Sequence, residues 1–165
     1  MKLEDIDYGT LSLSPLFVGL NEDELRALVE AAVIHDIQDG AEVVLEGEPG
    51  ESMYLLHDGE VTIEKKTDSG ERFELTRLHR RGDFFGEMVF VDILPRSATV
   101  RANPSARLIE FSLETLHGFF EDNRDAHLTI ILNMTRVLSR RLRAANEQIA
   151  DLKRDQKPEP SVRQG

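Results

Sequence analysis

The stretch Gly86-Glu87-Met88-Val89-Phe90-Val91-Asp92-Ile93-Leu94-Pro95-Arg96-Ser97-Ala98-Thr99-Val100 opens on a glycine and a carboxylate and closes on an arginine, a hydroxyl and a β-branched run. Between Glu87 and Arg96 the only other ionised side chain is Asp92. These residue types suit a small sugar phosphate. A guanidinium such as Arg96 binds the anion, a carboxylate such as Glu87 accepts from a sugar hydroxyl, and a glycine followed by a short helix leaves backbone N–H groups free.

On both sides of this stretch, apolar segments of five to eight residues alternate with glycine turns. Val33 to Gln38 precedes Asp39-Gly40, and Glu42 to Glu46 precedes Gly47, Pro49 and Gly50. Met53 to His57 precedes Asp58-Gly59, Val61 to Lys65 precedes Ser69-Gly70, and Arg72 to Leu78 runs to Gly82-Asp83. Ala98 to Ala102 and Leu108 to Ser112 follow. Asp-Gly pairs predict hairpins, because glycine adopts positive φ without a steric penalty. Across 60–64, Val61 and Ile63 are expected to face one way, and Glu60, Thr62 and Glu64 the other. So many short antiparallel strands predict a mainly β fold with flanking α, an antiparallel β-roll or jelly roll.

The helices lie at the ends. Asn21-Glu22-Asp23-Glu24 is a capping box, after which Leu25, Leu28, Val29 and Ala32 share one helical face. Ser112 is placed to cap a short helix carrying Leu113, Leu116, Phe119 and Phe120. From about Arg124 a long helix carries Leu128, Ile131, Thr135, Leu138, Leu142, Ala145, Ile149 and Leu152 at alternating spacings of three and four. This a/d seam predicts a homodimer through residues 128–152. The expected units are a helical lead-in and β-roll over 1–112, helices over 113–153, and a polar, proline-broken and disordered tail over 154–165.

Composition narrows the function classes. The chain has 165 residues, 40% of them hydrophobic, and no cysteine, so it has no disulfide framework and no thiolate site. With no long apolar run and no signal-peptide core, it is expected to be cytoplasmic, without membrane contact. The net charge is −11, and residues 1–70 hold 4 Lys+Arg against 17 Asp+Glu. An acidic body repels a phosphate backbone, so direct nucleic-acid binding is not expected. His35, His57, His79, His117 and His127 are scattered without metal-ligand spacing, and no serine–histidine–carboxylate order suggests catalysis. Catalytic and metal-ligating residues are therefore expected to be absent.

Phe85-Gly86-Glu87-Met88 followed by Pro95-Arg96-Ser97-Ala98-Thr99-Val100-Arg101-Ala102 resembles the phosphate-binding cassette of the cyclic-nucleotide-binding domain family. The turns at Gly40, Gly47, Gly50 and Gly59 fall where that family's β-roll has glycines. Arg140-Arg141-Leu142-Arg143-Ala144-Ala145-Asn146-Glu147-Gln148-Ile149 is similar to the dimer helix of its catabolite activator branch. The resemblance covers about residues 12–153. It implies that Arg96 holds a cyclic phosphate, Glu87 accepts from the ribose 2′-OH, Gly86 lets the backbone approach the sugar, and Met88 belongs to the ligand-binding set. It implies further that Ser97 and Ala98 offer N–H groups, Arg141 reaches Glu87, and Asn146, beside Ala145, reads the base. The implied ligand is cAMP, with cGMP the alternative.

The chain departs from the family at Val89-Phe90 and Asp92-Ile93, where bulk at Phe90 and Ile93 is expected to repack the cassette or narrow its entrance. The turn His79-Arg80-Arg81-Gly82 also reads one residue longer than usual. A winged-helix domain does not follow the long helix in this sequence. The chain is therefore read as a sensor that shifts its C-terminal helices and signals to another protein. The alternatives are an interaction module of the same fold that binds no nucleotide, and a fragment of a DNA-binding regulator.

Overall fold

The two long strands of the protein each serve two cores, and this organises everything around the cassette. The computed structural model describes residues 8–92 and 94–155. Helices α1 (Tyr8–Leu13) and α2 (Glu22–Glu30) lead into strands β1 (Val33–Ile37), β2 (Glu42–Val44), β3 (Ser52–Lys66), β4 (Arg72–Leu78) and β5 (Phe84–Phe85). A 3-10 turn over Glu87–Phe90 and strand β6 (Thr99–Ser112) follow, then helices α3 (Leu113–Asp122) and α4 (Arg124–Asp155). The strands form one antiparallel sheet in the order β1-β6-β3-β4, with β2 added to β6 and β5 to β3. This is the expected antiparallel β-roll with flanking helices, and its sheet is not closed into a barrel.

Side chains alternate across a strand, so neighbouring residues enter different cores. Leu55, Phe84 and Ile109 pack with Leu28, Phe111, Leu116, Phe119, Ile130 and Met134 under the helices. Leu56, Phe85 and Leu108, one residue away in each case, pack with Val61, Val100, Ala102 and Ala106 inside the roll. Leu55, Leu56, Leu108 and Ile109 are all fully buried.

The helix caps form as the sequence dictates. The Asn21 side chain accepts from Glu24 N at 2.9 Å, and Glu24 Oε2 accepts from Asn21 N at 2.8 Å. Ser112 Oγ accepts from Thr115 N at 3.0 Å. Helix α1 was not expected, because its six residues carry no capping box and no extended periodicity.

Several expectations need correction. Asp58-Gly59 makes no hairpin. β3 runs straight through it, and the ladder to β6 shifts register on either side, between Leu56 and Asp58 and between Gly59 and Val61. Residues 99–102 and 108–112 likewise belong to one strand, β6, rather than two. Thr62, in the same alternating set as Glu60 and Glu64, is buried and donates to Arg101 O at 3.4 Å. Those two glutamates pair instead with arginines, Glu60 with Arg77 and Glu64 with Arg72 and Arg101. Arg154 and Asp155, expected to open the tail, belong to α4. The disorder expected over 156–165 lies outside the described residues.

α4 has 32 residues, a rod of about 48 Å at 1.5 Å per residue. It packs on its own domain through Ala126, Ile130, Asn133, Met134 and Val137. Asn133 Nδ2 donates to Leu16 O at 3.1 Å and Val18 O at 2.7 Å, which pins the N-terminal loop to the helix. The seam read from the sequence is largely a different face. Leu128 is 61% exposed, Leu142 63%, Ile149 51% and Leu152 62%. No described helix is long and apolar enough to cross a membrane.

Candidate functional site

The cassette hangs between β5 and β6, and its backbone is tied to the turn after β2. Arg96 N donates to Glu48 O at 2.8 Å, and Gly47 N donates to Arg96 O at 2.9 Å. These bonds fix where the Arg96 side chain leaves the chain. Its guanidinium lies in a slot between two glycines. A Cβ on Gly50 would sit 2.7 Å from Arg96 Nε, and one on Gly86 would sit 2.7 Å from Arg96 Nη1. Gly86 also has φ +79, a conformation that other residues rarely adopt.

Arg96 Nη2 donates to Ser52 O at 2.7 Å. Among the described residues Arg96 forms no ion pair. Burial pulls its guanidinium below its ordinary pKa, while Tyr54 and Glu110 act in the opposite direction. A partly desolvated cation without a counter-ion is what an anion site requires before its ligand arrives.

Glu87 lies at the other end of the cassette and is only 4% exposed. Arg141 of α4 reaches it, with Nη1 2.6 Å from Glu87 Oε1. Arg141 Nη2 also donates to Phe84 O at 2.7 Å, and its guanidinium lies 4.9 Å from the centre of the Phe84 ring. Burying Glu87 is tolerable because this charge-assisted bond offsets part of its desolvation. The long helix is thereby connected directly to the cassette.

Arg96 and Glu87 line a cavity of about 440 Å³ together with Gly86, Met88, Ser97, Ala98, Phe85, Val44, Ile63, Leu138, Arg141, Leu142 and Ala145. That volume suits a small ligand. Among the described residues, the Ser97 and Ala98 N–H groups have no acceptor. Ser97 O accepts from Lys65 Nζ at 2.8 Å, and Lys65 pairs with Glu46 at 3.0 Å.

The structure therefore brings seven of the eight candidate residues around one cavity: Gly86, Glu87, Met88, Arg96, Ser97, Ala98 and Arg141. Asn146 is exposed and does not line it, whereas Ala145 does. Phe90 does not narrow the cavity. It packs against the helix-side core and lines two open grooves that it shares with His117 on the outer side of the cassette. Ile93 lies outside the described residues. Gly50 was noticed in the sequence only as a turn glycine, and its packing on Arg96 was missed. Ser52 was missed altogether because it contributes a backbone carbonyl, which no side-chain pattern announces.

The family model for the cyclic nucleotide-binding domain matches residues 34–123. A CRP-like cAMP-activated global transcriptional regulator from Mycobacterium tuberculosis is 30% identical over 142 residues, covering 86% of this chain and 61% of that protein. The crystal structure of Thermus thermophilus catabolite activator protein has a TM-score of 0.73 at 26% identity, covering 85% of this chain and 63% of that one. The regulatory domain of Toxoplasma gondii PKA, crystallised with cAMP, has a TM-score of 0.62 at 29% identity, covering 68% of this chain and 42% of that one. The chain thus spans 61% of the length of the mycobacterial regulator.

Proposed function

Because the chain belongs to the cyclic nucleotide-binding domain family, we propose that it is a cAMP sensor which passes ligand binding through α3 and α4 to a partner protein. The observation that carries this reading is Arg96, a half-buried guanidinium without a counter-ion, on the wall of the same cavity as a buried glutamate. Arg96 would hold the cyclic phosphate with the Ser97 and Ala98 N–H groups. Glu87 Oε1 is taken by Arg141, which leaves Oε2 for the ribose 2′-OH. Gly86 and Met88 would form the wall beside the sugar.

The choice of cAMP draws support from the mycobacterial regulator, whose name includes cAMP activation, and from the PKA domain crystallised with cAMP. On this reading the signal leaves through the Glu87–Arg141 bond, because a ligand that reorients Glu87 acts on α4 directly. The ligand must favour one arrangement of α4 over another for anything to be transmitted. The exposed Leu128, Leu142, Ile149 and Leu152 would be covered by α4 of a second copy. On this reading Asn146 would lie at the dimer seam, where it would read the base. The protein acts on this reading as a regulatory module rather than an enzyme.

Calorimetric titration of nucleotide-free protein with cAMP and then cGMP tests the reading. Saturable heat with the tighter constant for cAMP is expected. Absence of heat and of thermal shift with both ligands would reject it. Light scattering on the same sample is expected to give twice the chain mass of 18.7 kDa, and a monomer at all concentrations would reject the dimer.

A further inference from the structure

The two backbone N–H groups proposed to meet the phosphate each belong to a peptide unit whose carbonyl is already held. The Arg96 carbonyl shares its peptide unit with Ser97 N and accepts from Gly47 N at 2.9 Å. The Ser97 carbonyl shares its unit with Ala98 N and accepts from Lys65 Nζ at 2.8 Å. The first of these bonds is between backbone groups. The second is made by a side chain that is not part of the cavity wall.

Lys65 reaches this carbonyl because of where the sheet stops. The β3–β6 ladder ends with Glu64 opposite Thr99. Ala98 therefore lies just outside β6, and its N–H is not spent on a strand partner. Side chains alternate along β3, which puts Lys65 on the same face as Ile63, a residue of the cavity wall. Glu46 then holds the ammonium. Its Oε1 lies 3.0 Å from Lys65 Nζ, its Oε2 accepts from Lys66 N at 3.1 Å, and its own N donates to Thr99 Oγ1 at 3.1 Å. The bonds from Lys65 and from Lys66 N keep the Glu46 carboxyl below its ordinary pKa. An ionised Glu46 offsets the charge of Lys65, so Lys65 acts on the cassette through a directed bond rather than through net charge.

We infer that Lys65 is a positioning residue for the anion held by Arg96: it fixes the Ser97–Ala98 peptide plane and strengthens Ala98 N–H as a donor. This rests on the reading of Arg96, Ser97 and Ala98 as the phosphate contacts. The peptide is trans, so its N–H points away from the carbonyl that Lys65 holds. A hydrogen bond accepted at one end of the unit polarises the amide and strengthens the bond donated at the other. Without Lys65 this peptide is free to turn, and ordering it again costs part of the binding free energy. Ser97 N is expected to be independent of Lys65, because its peptide unit is held by Gly47 N.

Calorimetric dissociation constants for cAMP, with the amide proton resonances of Ser97 and Ala98 followed by NMR in the free and saturated full chain, test this. Lys65→Met keeps the length of the side chain and removes its donors. The Lys65 side chain is 44% exposed, so the urea midpoint is expected to stay close to wild type. Affinity is expected to fall roughly three- to tenfold, the scale of one hydrogen bond. The downfield shift of the Ala98 amide on cAMP binding is expected to shrink, and that of Ser97 to persist. Lys66→Met removes the same charge one residue away and is expected to keep the wild-type affinity and both shifts. Unchanged affinity in Lys65→Met overturns the inference. So does a loss of affinity that leaves the Ala98 shift intact, which would make Lys65 a direct or purely electrostatic contributor. A loss of both amide shifts, which marks a loosened cassette, or an equal loss of affinity in Lys66→Met also overturns it. All of these leave the cAMP reading standing, whereas a wild type that binds no cAMP overturns both.

Discussion

Arg96→Ala is expected to weaken cAMP binding roughly 10- to 150-fold, the equivalent of about 1.5–3 kcal/mol for hydrogen bonds to a charged group. The same substitution is expected to leave stability nearly unchanged. In the ligand-free protein Arg96 bears a desolvation cost that Tyr54 and Glu110 offset only in part, and among the described residues its side chain hydrogen-bonds to Ser52 O. Alanine removes both, and the two effects oppose each other. The Arg96 backbone bonds to Glu48 and Gly47 do not depend on the side chain. A large loss of affinity beside a small change in denaturation midpoint is the signature of a residue kept for its ligand. Arg96→Lys is expected to fall between wild type and alanine, because an ammonium keeps the charge but loses the planar fork. An unchanged dissociation constant in Arg96→Ala would remove the residue from the site.

How much of this was legible in the sequence depends on where the information is stored. The two-core arrangement follows from strand periodicity, since consecutive apolar pairs such as Leu55-Leu56, Phe84-Phe85 and Leu108-Ile109 are what a strand with both faces covered requires. The helix caps were legible because their chemistry is local. The packing face of α4 was not. The helix carries apolar residues on more than one face, and the longer a/d run was the exposed one. Asn133, which reads as a polar interruption, is 5% exposed and bonds two carbonyls of the N-terminal loop. The cassette residues were legible because each contributes a charge or a glycine at fixed spacing. Ser52 was not, because its carbonyl meets Arg96 only once distant parts of the chain are brought together.

Gly59→Ala is expected to be among the most destabilising single-methyl additions in the protein, costing about 2–4 kcal/mol. Asp58-Gly59 has the composition of a hairpin turn, yet it serves a bulge inside β3, because a bulge and a tight turn ask the same thing of a residue: a positive φ. Gly59 has φ +83, and a Cβ there would sit 2.1 Å from Ser105 O and 2.9 Å from Ala106 Cα. Both are backbone atoms of the strand that pairs with it, so no side-chain rotation relieves the contact. Either the bulge unwinds or β3 and β6 separate, and those two strands also carry Ser52, Tyr54 and Glu110. Gly70 provides the control. It has φ +86 and nothing within 4 Å of an added Cβ, so Gly70→Ala bears the conformational strain without the collision, about 1 kcal/mol. Urea denaturation of the two variants separates the contributions. A clearly larger loss in Gly59→Ala identifies close backbone approach as the reason for glycine, whereas equal losses would show that positive φ alone accounts for it and that the strands yield to the methyl group.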